Sequence, residues 1–396
     1  MAEKLSAIIT ILRREYQKVF VENWTSLTGG VLIGLMSIVT FAWDHPWGVA
    51  GGVRNWGDWF FYGIGLYDTR PVSAILSAKS VIVIGLLWGA LAAALIARQF
   101  VFRVPNRLEL FKGAVGGIFL GVGAALAGGC NVGGFYSSIG AFSLSGFAMM
   151  IGLLIGAFIG LKYLYWELEH LPTVYNVKNK IPSTKETSWD YWQPILGFGM
   201  ILGAFWANEI YSLHGYIVIG GLFLCGTAFG FIMHRSRFCF SRCFREPFMT
   251  GDAAATQAVI ISLLICVLGF AVIKWTGLRN ELAFTASSFG LGGLVGGFIF
   301  GFGMLLTGGC GSGTVWRVAE GQVKLMLALV TFALSASLTK TLIRSTESLR
   351  SVIGWKVFLP DLFGYPLAMF SVFLIMVLWY FTATWNEETE FFVVQI

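Results

Sequence analysis

Long uncharged runs alternate with short polar, basic or aromatic segments along this chain. The runs at 31–43, 81–97, 113–129, 142–161 and 289–309 are apolar on every side of a helix rather than on one stripe. Such helices are surrounded by lipid and by other helices, and about 20 apolar residues are needed to cross a bilayer core. Matching the pattern to that length predicts ten spans near 25–43, 79–98, 110–127, 143–162, 193–210, 216–234, 253–274, 289–307, 324–342 and 361–382. Strand-length alternation is absent from the sequence, which argues against a membrane β-barrel. Residues 1–24 behave differently. Leu5, Ile8, Leu12, Tyr16 and Val19 share one helical face, with Lys4, Arg14 and Lys18 elsewhere, and no small-residue cleavage site follows. This segment is expected to be an amphipathic helix lying in the interface.

Composition agrees with a bilayer as solvent. Hydrophobic residues make up 56% of the chain and charged ones 12%, with a mean hydropathy of +0.75; a soluble domain carries about 25% charge. The net charge of +6 is assigned to loops on the cytoplasmic side, not to a nucleic-acid partner. With the N-terminus inside, segments 1–24, 99–112, 163–192, 235–252 and 308–323 hold fifteen Lys or Arg, against six in 44–78, 275–288 and 343–360. This asymmetry predicts both termini in the cytoplasm of a bacterial inner membrane, although Arg344, Arg350 and Lys356 lie on the wrong side of it.

An internal repeat organises the chain. Residues 113–130 (GAVGGIFLGVGAALAGGC) align with 293–310 (GLVGGFIFGFGMLLTGGC) at a constant offset of 180, with ten of eighteen positions identical. In the ten-span count these are the third and eighth helices. An odd number of crossings separates them, so the two halves run in opposite senses. The expected fold is an all-α membrane protein with a five-plus-five inverted repeat, residues 25–210 and 211–383, followed by a tail at 384–396. Secondary transporters use this architecture and bind substrate near midplane between the repeats.

Gly113, Gly117 and Gly121, repeated as Gly293, Gly297 and Gly301, recur every four residues and read as a close helix contact. The Gly128-Gly129 and Gly308-Gly309 pairs read as helix stops. Lipid cannot satisfy broken backbone, so 131–141 and 311–322 are expected to be short re-entrant helices facing a cavity, their N-termini favouring an anion. Candidate binding residues gather there: Gly129, Cys130 and Asn131 in one half, Gly309, Cys310 and Gly311 in the other. A buried free cysteine is ordinarily a small hydrophobe, and Cys225 and Cys266 are read so. Cys130 and Cys310 are set apart by occupying equivalent elbows.

The segment 234–245 (HRSRFCFSRCFR) adds Cys239 flanked by Arg237 and Arg245. Its charge fits a cytoplasmic loop, but interleaved Phe and Cys fit the mouth of an anion path. Cys239 has no cysteine counterpart near 44–60 and is expected at an exit, away from the Cys130–Cys310 pair. The four histidines and six cysteines form no CxxC pair and no metal-ligand spacing, and no nucleotide motif is present, so no cofactor and no metal are expected. A membrane thiol oxidoreductase using Cys239 and Cys243, and a non-transporting scaffold, are the competing classes.

The two GGC elements, together with Arg237-Phe238-Cys239-Phe240 and 316–322 (WRVAEGQ), resemble the YeeE/YedE family of sulfur-compound membrane transporters over about residues 28–380. The resemblance implies a transporter, not an enzyme. It implies a thiosulfate path lined by Cys130, Cys239 and Cys310, with a cytoplasmic TusA-like sulfur carrier as receiver. Cys243 falls where the family commonly has a small residue. The N-terminal region and the 44–78 loop resemble the YedE branch, which implies selenium or other sulfur compounds as an alternative cargo.

Overall fold

The computed structural model describes residues 2–170, 188–285 and 288–394. Helices carry the fold, and among the described residues extended backbone pairs only as isolated bridges. In order they are α1 (Ala2–Tyr16) continuing into a π-helical turn (Gln17–Val21), α2 (Ser26–Trp43), α3 (Ala50–Gly63), α4 (Ala78–Ile96) and α5 (Arg107–Ala127). A second π-helical turn (Asn131–Tyr136) runs into α6 (Ser137–Gly140), then come α7 (Ser145–His170), α8 (Ser188–Leu213), α9 (Ile217–Ser236), α10 (Phe240–Met249) and α11 (Ala254–Trp275). The chain ends with α12 (Leu291–Thr307), α13 (Gly311–Val318), α14 (Val323–Ser345), α15 (Glu347–Ile353) and α16 (Leu359–Thr389).

Nine stretches among the described residues are long and apolar enough to cross a membrane, so the chain is an all-α, multi-pass membrane protein. The expected span at 193–210 lies within α8, which is not among those nine. Its Ile195, Leu202, Phe205 and Trp206 are nevertheless exposed. Two stretches read from sequence as loops are helical: 44–78 contains α3, and 235–252 contains α10. The tail expected from 384 begins later, since α16 continues to Thr389.

The repeated glycines seat the central helices. A Cβ at Gly117 or Gly121 would overlap α14 at Ala328 and Ala336, and one at Gly297 or Gly301 would overlap α7 at Met149 and Leu153. Thus α5 packs on α14 and α12 on α7, while α5 and α12 meet through Gly116, Gly123, Gly296 and Gly303. The remaining helices pair alike, α4 with α9 and α2 with α11. The repeated segments on α5 and α12 are thus each seated on a further helix through the same glycine positions.

Two faces follow from these pairings. The N-terminal end of α2 meets the C-terminal end of α9, where the Trp24 N–H donates to the Arg235 carbonyl at 2.8 Å. The C-terminal segment reaches the same face, with the Val394 N–H donating to the Phe248 carbonyl at 2.9 Å. Both ends of the chain thus share one face. The far end of α2, at Trp43, meets Arg279 beyond the end of α11. Helix α14 runs between the faces: its 23 residues span about 35 Å at 1.5 Å per residue, from Arg103, whose carbonyl accepts from Val323 N–H, to Arg344. The expectation that 163–192 faces the cytoplasm falls largely at 171–187, outside the described residues.

Candidate functional site

The two elbows adopt the same geometry. Helix α5 stops at Gly128 (φ 78°) and α12 at Gly308 (φ 81°), both in the left-handed region where glycine carries no Cβ penalty. Cys130 and Cys310 then extend the backbone, at φ −81°, ψ −173° and φ −77°, ψ −179°, and cap the segments that follow. Those segments are buried throughout: 131–140 and 311–316. The Gly313 N–H donates to Cys310 Sγ at 3.2 Å, and Ser312 Oγ lies 3.5 Å from the same sulfur. Arg317 donates to the Gly308 carbonyl at 2.6 Å, tying the end of α12 to α13.

Cys239 is where the structure departs from the sequence reading. It caps α10, and its sulfur lies 3.6 Å from that of Cys310, so it joins the Cys310 elbow instead of standing at a separate exit. Glycines on α13 make room for the thiols. A Cβ at Gly313 would come 2.6 Å from Cys239 Sγ and 3.2 Å from Cys310 Sγ, and one at Gly311 would come 3.3 Å from Cys130 Sγ. Cys130, Cys310 and Cys239 therefore form a row across α13. All six cysteines are free and buried. Cys266 lies apart, its sulfur against Gly140, and Cys225 and Cys243 are buried in the helix packing. Asn131 is fully buried, with Nδ2 3.6 Å from Met304 Sδ and no hydrogen-bond partner for Oδ1. Gly129 packs on Gly133-Gly134, and Gly309 has Thr314 at 3.4 Å from a Cβ built there.

Cavities approach the row from both faces. On the face where α2 ends, a cavity of about 280 Å³ is lined by His45, Arg54, Lys79, Phe284, Lys340 and Arg344 and reaches Gly129 and Cys130. On the face shared by the termini, a cavity of about 350 Å³ is lined by Arg103, Arg237, Arg242, Arg245, Arg317 and Glu320, with Trp316 in its wall. Trp316 is 1% exposed. Arg237 and Arg317 lie over its ring at 5.5 and 5.1 Å, and its Nε1 has no acceptor.

Two carboxylates answer part of the charge of the second cavity's five arginines. Arg237 pairs with Glu320, which also lies 3.0 Å from His234 Nε2 and 3.8 Å from Arg103. Burial raises the Glu320 pKa, but His234 and Arg237 outweigh it and hold the carboxyl below its ordinary range. Glu246 similarly takes Arg242 at 2.5 Å and Arg245 at 3.6 Å. The anion attraction expected of Arg237 and Arg245 is thus largely compensated internally. Five arginines against two carboxylates still leave an excess of positive charge there, and the first cavity, with Arg54, Lys79, Lys340 and Arg344 in its wall, carries an excess too. Sequence reasoning missed Arg54, Lys79, Lys340 and Gly313 as site residues, and Arg344 entered it only as a charge on the wrong side of the count. No group of His, Cys, Asp or Glu among the described residues is arranged to hold a metal.

Comparison with known proteins identifies the family. The family described as Sulphur transport matches residues 7–159 and 235–393. The "Probable transporter YedE" of Escherichia coli (strain K12) is 27% identical over 319 residues, 76% of this chain and 77% of that protein. The "Thiosulfate transporter TsuA" of E. coli is 32% identical over 126 residues, 32% of this chain and 35% of that protein. The TsuA of Spirochaeta thermophila is 32% identical over 118 residues, 30% of this chain and 35% of that protein. With its multi-pass helical fold and a match over most of its length, the chain belongs to the sulphur-transport family of membrane transporters.

Proposed function

We propose that the protein takes up a small sulfur-containing dianion, thiosulfate first, by handing it along Cys130, Cys310 and Cys239. The observation that carries this reading is the row of three thiols across α13, with a basic cavity reaching Cys130. A protonated thiol is a weak hydrogen-bond donor, so it offers S–H to an anion without binding it tightly. Passage needs sites that release as readily as they capture. Substrate enters beside His45, meets Cys130, crosses the space left by Gly311 and Gly313 to Cys310 and Cys239, and leaves past Trp316. The buried Oδ1 of Asn131 can accept only a proton-bearing group, whereas its Nδ2, weakly held by Met304, is a further donor for the anion.

The face bearing both termini and Arg237, Arg242 and Arg245 is assigned to the cytoplasm of a bacterial inner membrane by its excess of Lys and Arg. The equivalent elbows and exchanged helix partners support an inverted repeat. A TusA-like carrier on that face is the receiver this reading expects. A second cargo class is another sulfur or selenium compound, since the match to the thiosulfate transporter spans only 32% of this chain. Uptake into proteoliposomes of thiosulfate, sulfite, sulfate, selenite and selenate tests the reading. Saturable thiosulfate uptake that Cys130→Ala removes is expected; uptake of selenite or selenate alone would reassign the cargo, and uptake of none would remove the transport assignment for this set.

A further inference from the structure

Four cations in the cavity above Cys130 are not used by the thiol row. They are Arg54 of α3, Lys79 at the start of α4, and Lys340 and Arg344 of α14. Close helix approaches bring them together. A Cβ at Gly52 would overlap the Lys79 carbonyl, and one at Gly57 would overlap the Ala333 carbonyl of α14, so α3 is pressed between the other two helices. Lys340 and Arg344 are four residues apart and project from the same side of α14.

One carboxylate answers these charges. Asp58 lies 3.5 Å from Arg54 and accepts a hydrogen bond from the Ser337 hydroxyl at 2.6 Å. Lys79, Lys340 and Arg344 make no ion pair among the described residues. The charges act on one another: burial, and against Asp58 the charge of Arg344, draw the Arg54 pKa below its ordinary value. Gathering like charges is unfavourable unless an anion joins them. In the opposite cavity Glu320 and Glu246 lie within ion-pair distance of four of the five arginines.

We infer that Arg54, Lys79, Lys340 and Arg344 form an entrance site that selects small divalent oxyanions over monovalent ones before the thiols are reached. This rests on the uptake reading above. A local potential acts on ligand charge, so whatever factor one cation contributes to a monoanion's occupancy is squared for a dianion. One unit charge about 6 Å away in a water-like medium is worth about threefold for a monoanion and about tenfold for a dianion at low salt. Salt shrinks both factors, since the Debye length falls to about 8 Å at physiological ionic strength.

The test is thermal stabilisation of the detergent-solubilised full chain at low ionic strength, titrated with sulfate, thiosulfate or thiocyanate. Wild type should respond to sulfate and thiosulfate at lower concentrations than to thiocyanate. Lys340→Gln and Arg344→Gln should each weaken the response to the dianions about tenfold and to thiocyanate about threefold, while Lys340→Arg retains wild-type behaviour. Equal losses for all three anions, or no loss, would overturn the inference. A ligand-free melting midpoint near that of wild type certifies each variant's fold. If Lys340→Gln fails that check, the exposed Arg344→Gln decides alone. The uptake reading fails separately: Cys130→Ala would then transport normally whatever the charge variants do.

Discussion

The Cys239 sulfur stands 3.6 Å from the Cys310 sulfur, each residue at the N-terminal cap of a short helix. One helix belongs to the segment after α9 and the other to the second elbow, so a contact 71 residues apart in sequence turns two local features into one thiol site. The pair sits on the arginine side of α13, and Cys130 lies beside Gly311 toward the other cavity.

This contact decides the outcome for Cys239→Ala. Substrate binding and uptake should fall together, as they should for Cys310→Ala, because the thiols share one space. Both should fall at least tenfold, measured as equilibrium binding and vesicle uptake of labelled thiosulfate on the same preparation. Cys225→Ala and Cys266→Ala should keep uptake within about twofold of wild type, at a cost of no more than about 1–2 kcal/mol in stability from the lost buried volume. Intact binding with lost delivery in Cys239→Ala would return that residue to a separate exit.

Filling the space between the thiols tests the same geometry without removing any donor. Gly313→Ala places a methyl 2.6 Å from Cys239 Sγ, so a sulfur must move and the route narrows. Uptake should fall about tenfold or more. Gly199→Ala is the control. Its Cβ meets nothing within 4 Å, and replacing glycine within a helix gains up to about 1 kcal/mol. Its uptake should be unchanged and its melting temperature equal or higher. Full uptake by a folded Gly313→Ala protein would place the path elsewhere.

The elbows were legible in the sequence because their causes are local. A glycine pair ending an apolar helix implies a left-handed stop, and the residue after it caps whatever follows. The Gly113, Gly117 and Gly121 face was legible because a four-residue recurrence is a property of one helix. The Cys239–Cys310 contact was not, since it depends on how α10 is laid against α13, and nothing near Cys239 encodes that placement. The entrance cations were hidden in the same way: Arg54, Lys79 and Lys340 converge only after Gly52 and Gly57 bring three helices together. Arg237 looked like a free charge because its partner, Glu320, lies 83 residues away.

Glu320 should be a keystone of the arginine face. It is 1% exposed and pairs with Arg237 beside His234, and removing one member of a buried pair leaves the other charge uncompensated. Glu320→Gln should destabilise the protein by about 2–4 kcal/mol, read as a lower melting temperature at pH 7. Because the folded-state pKa of Glu320 is depressed, its contribution is present above the ordinary carboxylate value and is lost as pH falls through the depressed one. The difference between wild type and Glu320→Gln should therefore be constant from pH 8 to about 5 and shrink only in stronger acid. A gap that already closed between pH 7 and 6 would assign the titration to a group other than Glu320.

His45 gives the entrance cavity a pH dependence of the opposite functional sign. The ring lies 2.5 Å from Asp44, with Lys79 and Arg279 near enough to act on its charge, and it lines the cavity above Cys130. Burial lowers its pKa below the ordinary 6.5; Asp44 works against that shift, while Lys79 and Arg279 add to it. His45 is therefore neutral at pH 7 and gains a proton only under acid conditions. Each proton taken up adds a positive charge where an anion enters, so the apparent affinity for a dianion should be flat from pH 8 to 6.5 and rise as pH falls further. Stability moves the other way. A base with a depressed folded-state pKa binds fewer protons folded than unfolded, so the His45 contribution is full above pH 6.5 and declines below it. His45→Gln should remove both trends, leaving affinity lower than wild type only on the acid side. The measurement is the half-saturating thiosulfate concentration for uptake between pH 5 and 8, alongside the melting temperature of the same protein. An acid-side rise in affinity that persists undiminished in His45→Gln would assign the proton to another group.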